Sequence, residues 1–209
     1  MEFVDGINVD NFKKIRENNI DVAEVCALLS NCFSKQIFKY GVVHGDPHSG
    51  NVFVRKARIN GKIKPQIVLL DHGLYKYLGP ELRLNYAYLW KGIITQDEKM
   101  IENSVKQMGI KDRYMYRLFT GMVTGMNWDD IMDKNEANLK ERLDVPNSNE
   151  FKTETSRKMK MRFKQIVHCL QKIDQDLLLI FKVNDYLRSL DNRLGRPINT
   201  FYYTVSNSC

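Results

Sequence analysis

The chain has 209 residues, 43% of them hydrophobic and 27% charged, with a formal net charge of +7. That is enough for one domain with a sizeable core or two very small ones, and it excludes the disordered and low-complexity classes. The positive charge points to an anionic partner: a nucleotide, a nucleic acid or an anionic membrane surface.

Met1 to Gly6 reads as the end of a strand running into a turn, with no strand partner later in the chain and with neither a signal-peptide nor a transit-peptide pattern. The expectation is that further protein precedes Met1. Asn8 to Asn18 fits a short polar helix. Asp21 is a good N-cap for a helix over Val22 to Lys39, which sets Val22, Val25, Cys26, Leu29, Cys32, Phe33 and Ile37 on one face, with Gly41 as its stop. The β-branched pair Val42-Val43 comes next, then a polar run from His44 to Asn51.

Val52–Arg55 and Ile67–Leu70 read as two short strands, and Asn60-Gly61 between them predicts a type I′ turn and a hairpin. Beyond Gly73 the pattern becomes helical. Pro80–Ile94 is one helix, and Thr95 with Glu98 makes a capping box for a second that Gly109 closes. Lys111–Met122, Glu150–Lys172 and Asp174–Leu194 complete the series, the last stopped by Gly195 and Pro197. Lys134–Asn149 is the least ordered-looking stretch, and no internal repeat is present.

No run of eighteen apolar residues occurs, since Lys182 interrupts the Leu177–Phe181 stretch, so no transmembrane helix is expected. The cysteines Cys26, Cys32, Cys169 and Cys209 contain no CxxC pair, which argues against a zinc cage or a disulfide framework. The basic run Arg157, Lys158, Lys160, Arg162 and Lys164 is interleaved with Met159, Phe163, Ile166, Val167 and Leu170. A core helix with a solvated basic face is the simpler account; peripheral contact with an anionic membrane is the alternative, and no nucleic acid is expected. Trp90 and Trp128 read as core.

Two clusters carry chemistry. One is His44-Gly45-Asp46-Pro47-His48-Ser49-Gly50-Asn51, between a helix and a strand; the other is Asp71-His72-Gly73, after the second strand. A hairpin joins its own ends, so Asp46, Asn51 and Asp71 should converge. Phosphoryl transfer needs a carboxylate near the attacking oxygen and oxygen ligands for Mg²⁺ that also bridges the phosphates. These three residues supply that set. An Asp five residues before an Asn, then a hairpin, then Asp-x-Gly, is also the order of the protein-kinase catalytic and metal-binding loops. A second reading makes His44, His48 and His72 transition-metal ligands of a metallohydrolase, but it leaves Asn51 and the hairpin unexplained.

Gly-Asp-Pro-His-x-Gly-Asn followed by Leu-Leu-Asp-His-Gly-Leu resembles the UbiB-type, aarF-domain atypical kinases. Arg83 to Trp90 and the Leu177–Ile180, Asn184-Asp185 and Arg188 stretch resemble the mitochondrial aarF-domain subgroup. The likeness runs from Glu2 to about Leu194. It implies an α+β, mainly α fold: the C-terminal lobe of a protein-kinase-like domain over 1–209, with the N-terminal lobe missing. Residues 1–7 would be the hinge segment, 42–73 the catalytic loop, hairpin and metal-binding Asp-His-Gly, and 79–195 a helical bundle.

The resemblance further implies ATP and Mg²⁺ as cofactors. Asp46 would be the catalytic-loop carboxylate, Asn51 and Asp71 the metal ligands, and Glu2 and Val4 the hinge backbone at the adenine. His44 would be a packing and orienting residue of the catalytic loop. The acceptor would be an unknown protein or lipid, the setting mitochondrial, the role lipid or quinone homeostasis. Ser49 replaces the family's usual proline, so a less rigid loop is expected. Gly45 stands where ordinary protein kinases have arginine, and no Ala-Pro-Glu segment is present, so control by activation-loop phosphorylation is not expected. No phosphate-covering loop, strand lysine or Lys-x-Gly-Gln element is present, so these residues alone should bind ATP poorly. A small-molecule kinase of the aminoglycoside or choline type and a nucleotide-sensing scaffold are the competing readings.

Overall fold

The computed structural model describes residues 5–132, 173–193, 203–204 and 206–207. The chain divides into two compact units, residues 1–78 with 179–207 and residues 79–178 with 208–209. The hinge candidates Glu2 and Val4, the stretch Lys134–Asn149 and the expected helix Glu150–Lys172 with its basic run lie outside the described residues.

The first unit opens with strand β1 (Ile7–Asn8), which pairs antiparallel with β3 (Val52–Ile59) through Ile7↔Val54 and Asn8↔Phe53. The sequence pattern did not single out Ile7–Asn8 as a strand, and residues 1–4 of the expected strand end Met1–Gly6 lie outside the described residues. Helix α1 (Phe12–Glu17) is shorter than expected because Asn8 is spent on the strand and Asn11 caps the helix, its side chain accepting from Lys14 N at 3.1 Å. Helix α2 (Val22–Lys35) starts where Asp21 Oδ1 accepts from Ala23 N at 2.9 Å, which satisfies one of the amides a helix start leaves open. It widens into a π-helical turn over Gln36–Tyr40, and Gly41 ends it at φ 66, a left-handed conformation that glycine adopts without steric cost.

The buried face of α2 holds Val25, Cys26, Leu29 and Phe33, continued by Ile37. The Phe33 ring meets His44 edge-on at 6.4 Å and Tyr186 at 6.0 Å. Tyr186 belongs to α7 (Gln175–Arg193), whose Ile180, Val183 and Leu190 join the same unit's core. Truncating a ring enclosed in this way costs about 3–5 kcal/mol.

The hairpin is longer than the sequence pattern indicates. β3 and β4 (Lys62–Leu69) pair from Val52↔Leu69 out to Ile59↔Lys62, and Asn60 and Gly61 take φ values of 50 and 78, as a type I′ turn requires. Lysine and arginine are weak strand formers, but a two-residue turn fixes the register, and the ladder then runs through them. A second sheet pairs β2 (Val42–His44) with β5 (Tyr75–Tyr77), antiparallel, through Val42↔Tyr77 and His44↔Tyr75. β5 lies where the sequence pattern alone turns helical.

The second unit contains α3 (Pro80–Thr95), α4 (Glu98–Gln107), α5 (Arg113–Thr124) and α6 (Trp128–Met132). The expected Thr95–Glu98 capping box does not form. Thr95 Oγ1 bonds back to Lys91 O at 2.9 Å inside α3, and Asp97 caps α4 by accepting from Met100 N at 3.0 Å. Asp and Thr compete for the cap position, and the left-handed turn at Gln96, φ 53, hands it to the carboxylate. Gly92 lets α4 approach closely: a Cβ there would stand 2.9 Å from Ile101 Cγ1. Trp90 is core, as expected, and Trp128 is half-buried edge-on to Tyr116 at 5.2 Å. The described chain is thus mainly helical with two small antiparallel sheets.

Candidate active site

The polar run after β2 forms a tight, multiply anchored loop. Strand pairing with Tyr75 places His44 at the end of β2 with only 2% of its surface exposed. Its Nδ1 accepts the Asp46 amide at 3.2 Å, which fixes the neutral ring with its proton on Nε2. Burial lowers the His44 pKa, the nearby His72 and His48 add to this, and the carboxylates of Asp46 and Asp71 oppose it. His44 therefore lies within electrostatic reach of both polar clusters.

A 3₁₀ turn, Ser49–Asn51, then leads into β3. The Ser49 carbonyl accepts from the Val52 amide and from Asn8 Nδ2 at 2.9 Å, so β1 and β3 both hold the loop at the position where the family's proline would stiffen it. Asn51 Nδ2 contacts His48 Nε2 at 2.9 Å, and His48 Nε2 lies 3.7 Å from Asp46 Oδ2. With the Asn51 amide donating, His48 Nε2 is the acceptor and carries no proton for Asp46, whose carboxylate lies near the ring without a hydrogen bond to it. Because the amide nitrogen faces His48, the amide oxygen of Asn51 is left to accept or to ligate.

The hairpin does close its ends. Leu70 N donates to Asn51 O at 2.7 Å, one residue before Asp71. Asp71 sits at φ 55, a left-handed conformation uncommon outside glycine, asparagine and aspartate, and its Oδ1 accepts from Gly73 N at 3.0 Å. Next, Gly45 N donates to Leu74 O at 2.7 Å and draws the two loops together. Asp46 and Asp71 are exposed and Asn51 is half-buried, so solvent and solutes reach all three.

Hard oxygens on a carboxylate and an amide, open to water, suit Mg²⁺, which keeps several waters and relies on substrate phosphates for the rest of its octahedron. Among the described residues no group of three or more His, Cys, Asp or Glu is arranged to hold a metal. The imidazoles are engaged otherwise: His72 Nδ1 pairs with the Tyr75 hydroxyl at 2.9 Å and Nε2 with Leu69 O at 3.1 Å, while His44 is buried. The donor set fits a hard cation better than zinc.

Sequence reasoning missed three contributors. Tyr75 stacks on His72 (5.6 Å between centroids, 10° between planes) and tilts against His44 at 5.0 Å. Its only signal was the Tyr75-x-Tyr77 alternation after Asp-His-Gly. Asn8 and the Gly45–Leu74 bond had no local signal, because both are long-range contacts.

Residues 1–105 match the family model for the ABC1 atypical kinase-like domain. The chain belongs to that family, the UbiB-type or aarF-domain proteins. It is 39% identical to an Arabidopsis thaliana protein named for the ABC1 family, over 96% of the chain and 38% of that protein. It is 36% identical to the mouse AarF domain-containing protein kinase 1 and 35% identical to the Drosophila melanogaster AarF domain-containing kinase 1, each over 100% of the chain and 38% of the relative. The chain thus spans 38% of the length of these relatives. No solved structure matches it. The family is kinase-like, and several relatives are named kinases.

Proposed function

We propose that these residues form the C-terminal lobe of an ATP-dependent phosphotransferase or ATPase, in which Asp46 orients or deprotonates the acceptor while Asn51 and Asp71 hold Mg²⁺. The observation that carries this reading is the junction at the hairpin base, where Leu70 N meets Asn51 O at 2.7 Å and brings the Asp-His-Gly loop beside the catalytic loop. Bound Mg²⁺ would neutralise charge on the transferring phosphoryl group. The chain's own residues do the rest: His44 holds the Asp46 backbone, His48 accepts from and orients the Asn51 amide, and the Gly73 amide holds the Asp71 carboxylate in its turn. Glu2 and Val4 are assigned to the hinge at the adenine. The acceptor is a protein or a lipid, and the setting proposed is mitochondrial lipid or quinone homeostasis, on family resemblance.

A thermal shift with Mg·ATP tests the reading, made on a longer form of the protein spanning the length of its relatives. At a ligand concentration of about 100 times Kd the wild type gains roughly 2.7 kcal/mol, and Asp71→Asn loses most of that gain. Equal shifts in both proteins would remove Asp71 from the metal site. Residues 1–209 alone are proposed to turn ATP over negligibly. Metal-dependent hydrolysis by this piece, abolished by Asp71→Asn, would contradict that.

A further inference from the structure

Between Asp46 and Asp71 the chain has no acidic residue, yet the outer half of the hairpin carries Arg55, Lys56, Arg58, Lys62 and Lys64. All five are exposed. Arg55 Nε donates to Gln66 Oε1 at 2.7 Å, and none of the five pairs with a carboxylate among the described residues. Toward the hairpin base Val52 and Val54 are buried; outward from Arg55 only Pro65, opposite Lys56, is buried and Ala57 half-buried, and every other residue through Lys64 is exposed. The ribbon therefore projects from the first unit as an arm.

Its tip is also apolar. Ile59 is 40% exposed and Ile63 is 68% exposed. The register sets Ile59 opposite Lys62 and Ile63 opposite Arg58. Neighbouring strand positions alternate between faces, so each face of the tip presents one isoleucine flanked by cations.

We propose that this hairpin tip docks into the headgroup layer of an anionic phospholipid bilayer. A protein or nucleic-acid partner reads one face of a ribbon and would leave the other face's isoleucine and cations unused. A headgroup layer entered tip-first surrounds both faces equally. The isoleucines leave water there, the cations meet anionic phosphates at the surface, and their long aliphatic stems let the charged ends stay at that level while the tip sits deeper. The leading edge is Asn60-Gly61, with no bulky side chain to block entry. This surface is distinct from the nucleotide site and does not rest on the phosphotransfer reading.

The test is sedimentation of the chain with vesicles of phosphatidylcholine alone or phosphatidylcholine with phosphatidylserine. Wild type should partition onto the serine-containing vesicles about tenfold or more better than onto phosphatidylcholine. The triple variant Arg58→Glu/Lys62→Glu/Lys64→Glu should lose about tenfold or more of that binding, and Ile59→Ser/Ile63→Ser a further severalfold at equal salt. Lys13→Glu, an exposed lysine on α1, is the charge control and should match wild type. Thermal melts confirm that each variant is folded; because the changed side chains are outside the core, the melts should coincide. The proposal is overturned if the triple variant binds like the control, if the isoleucine pair makes no difference, or if wild type ignores lipid charge. Displacement of the chain from vesicles by a single-stranded DNA homopolymer, with no effect of the isoleucine changes, would make nucleic acid the partner instead.

Discussion

The Gly45 amide donates to the Leu74 carbonyl at 2.7 Å, and this one bond ties the loop that carries Asp46 to the loop that carries Asp71. The close approach suits a residue without a side chain. A Cβ at Gly45 would lie 3.2 Å from Leu74 O and 3.3 Å from Leu74 Cβ, tighter than ordinary van der Waals contact. A side chain here, such as the arginine of protein kinases, would require Leu74 to give by a few tenths of an ångström.

Gly45→Ala is accordingly expected to destabilise the chain by about 1–2 kcal/mol, with Gly45→Arg costing more. Urea denaturation measures this: the midpoint should fall while the slope with denaturant stays constant. Under the proposed phosphotransfer, the same alanine in a form spanning the length of the relatives should reduce turnover as the two loops separate. A Gly45→Ala protein with wild-type midpoint would mean that the loops are not held together here.

His72 is held at both ring nitrogens and stacked on Tyr75, directly beside the left-handed Asp71. Its expected role is to keep the Asp71 turn in one conformation. Tyr75→Phe removes one hydrogen bond and should cost about 1 kcal/mol. His72→Phe preserves the stack but loses both bonds, so in the longer form it should raise the half-saturating Mg²⁺ concentration severalfold while changing turnover at saturating Mg²⁺ less. A magnesium titration of activity for the two variants separates this positioning role from simple loss of stability, which would lower both.

Much of this was legible locally. Asp21 capped its helix, Gly41 ended the helical run, and Asn60-Gly61 made its turn, because each is a short-range effect of one or two residues on their own backbone. The face of α2 followed from its period. What failed was long-range or competitive. β1 and β5 consist of two and three residues, and each exists only through partners far along the chain. The cap of α4 went to Asp97 instead of Thr95 through a backbone turn at Gln96 that no pattern announced. The candidate site's members were named from residue type and order, and the structure brings their loops together, but its supports were not legible: Asn8, Gly45 and Tyr75 act through tertiary contacts.

The buried His44 gives the stability a definite pH dependence. Its folded pKa lies below the ordinary 6.5, so between the two values the unfolded chain binds the proton and the native chain does not. Stability therefore falls as pH drops below about 6.5 and stops falling from this cause once the folded pKa is passed, with a slope of at most about 1.4 kcal/mol per pH unit. His44→Asn keeps an acceptor for the Asp46 amide without the titration, and chemical denaturation at a series of pH values should show a flatter profile below 6.5 for this variant. An unchanged slope would assign the acid sensitivity to other groups.

Cys26 reports whether the α2 core opens. It is 2% exposed, and burial first, then the Asp191 and Asp21 carboxylates, push its thiol up to about 12. At pH 8 only about one molecule in ten thousand would carry the thiolate, the form that attacks alkylating reagents. Labelling of Cys26 should then track unfolding alone: nearly absent in the native protein, and rapid past the urea midpoint, as read by peptide mass spectrometry that distinguishes it from Cys32, Cys169 and Cys209. The same residue lies on the helix face that carries Phe33, and Phe33 packs on His44. A Phe33→Ala variant, with a cavity at that point, should therefore label faster at Cys26 in native conditions, in proportion to its loss of stability if opening is global and beyond that proportion if α2 opens by itself. Native labelling of wild-type Cys26 at the rate of an exposed thiol would mean that the layer supporting His44 is not closed, and the loop geometry built on it would lose its foundation.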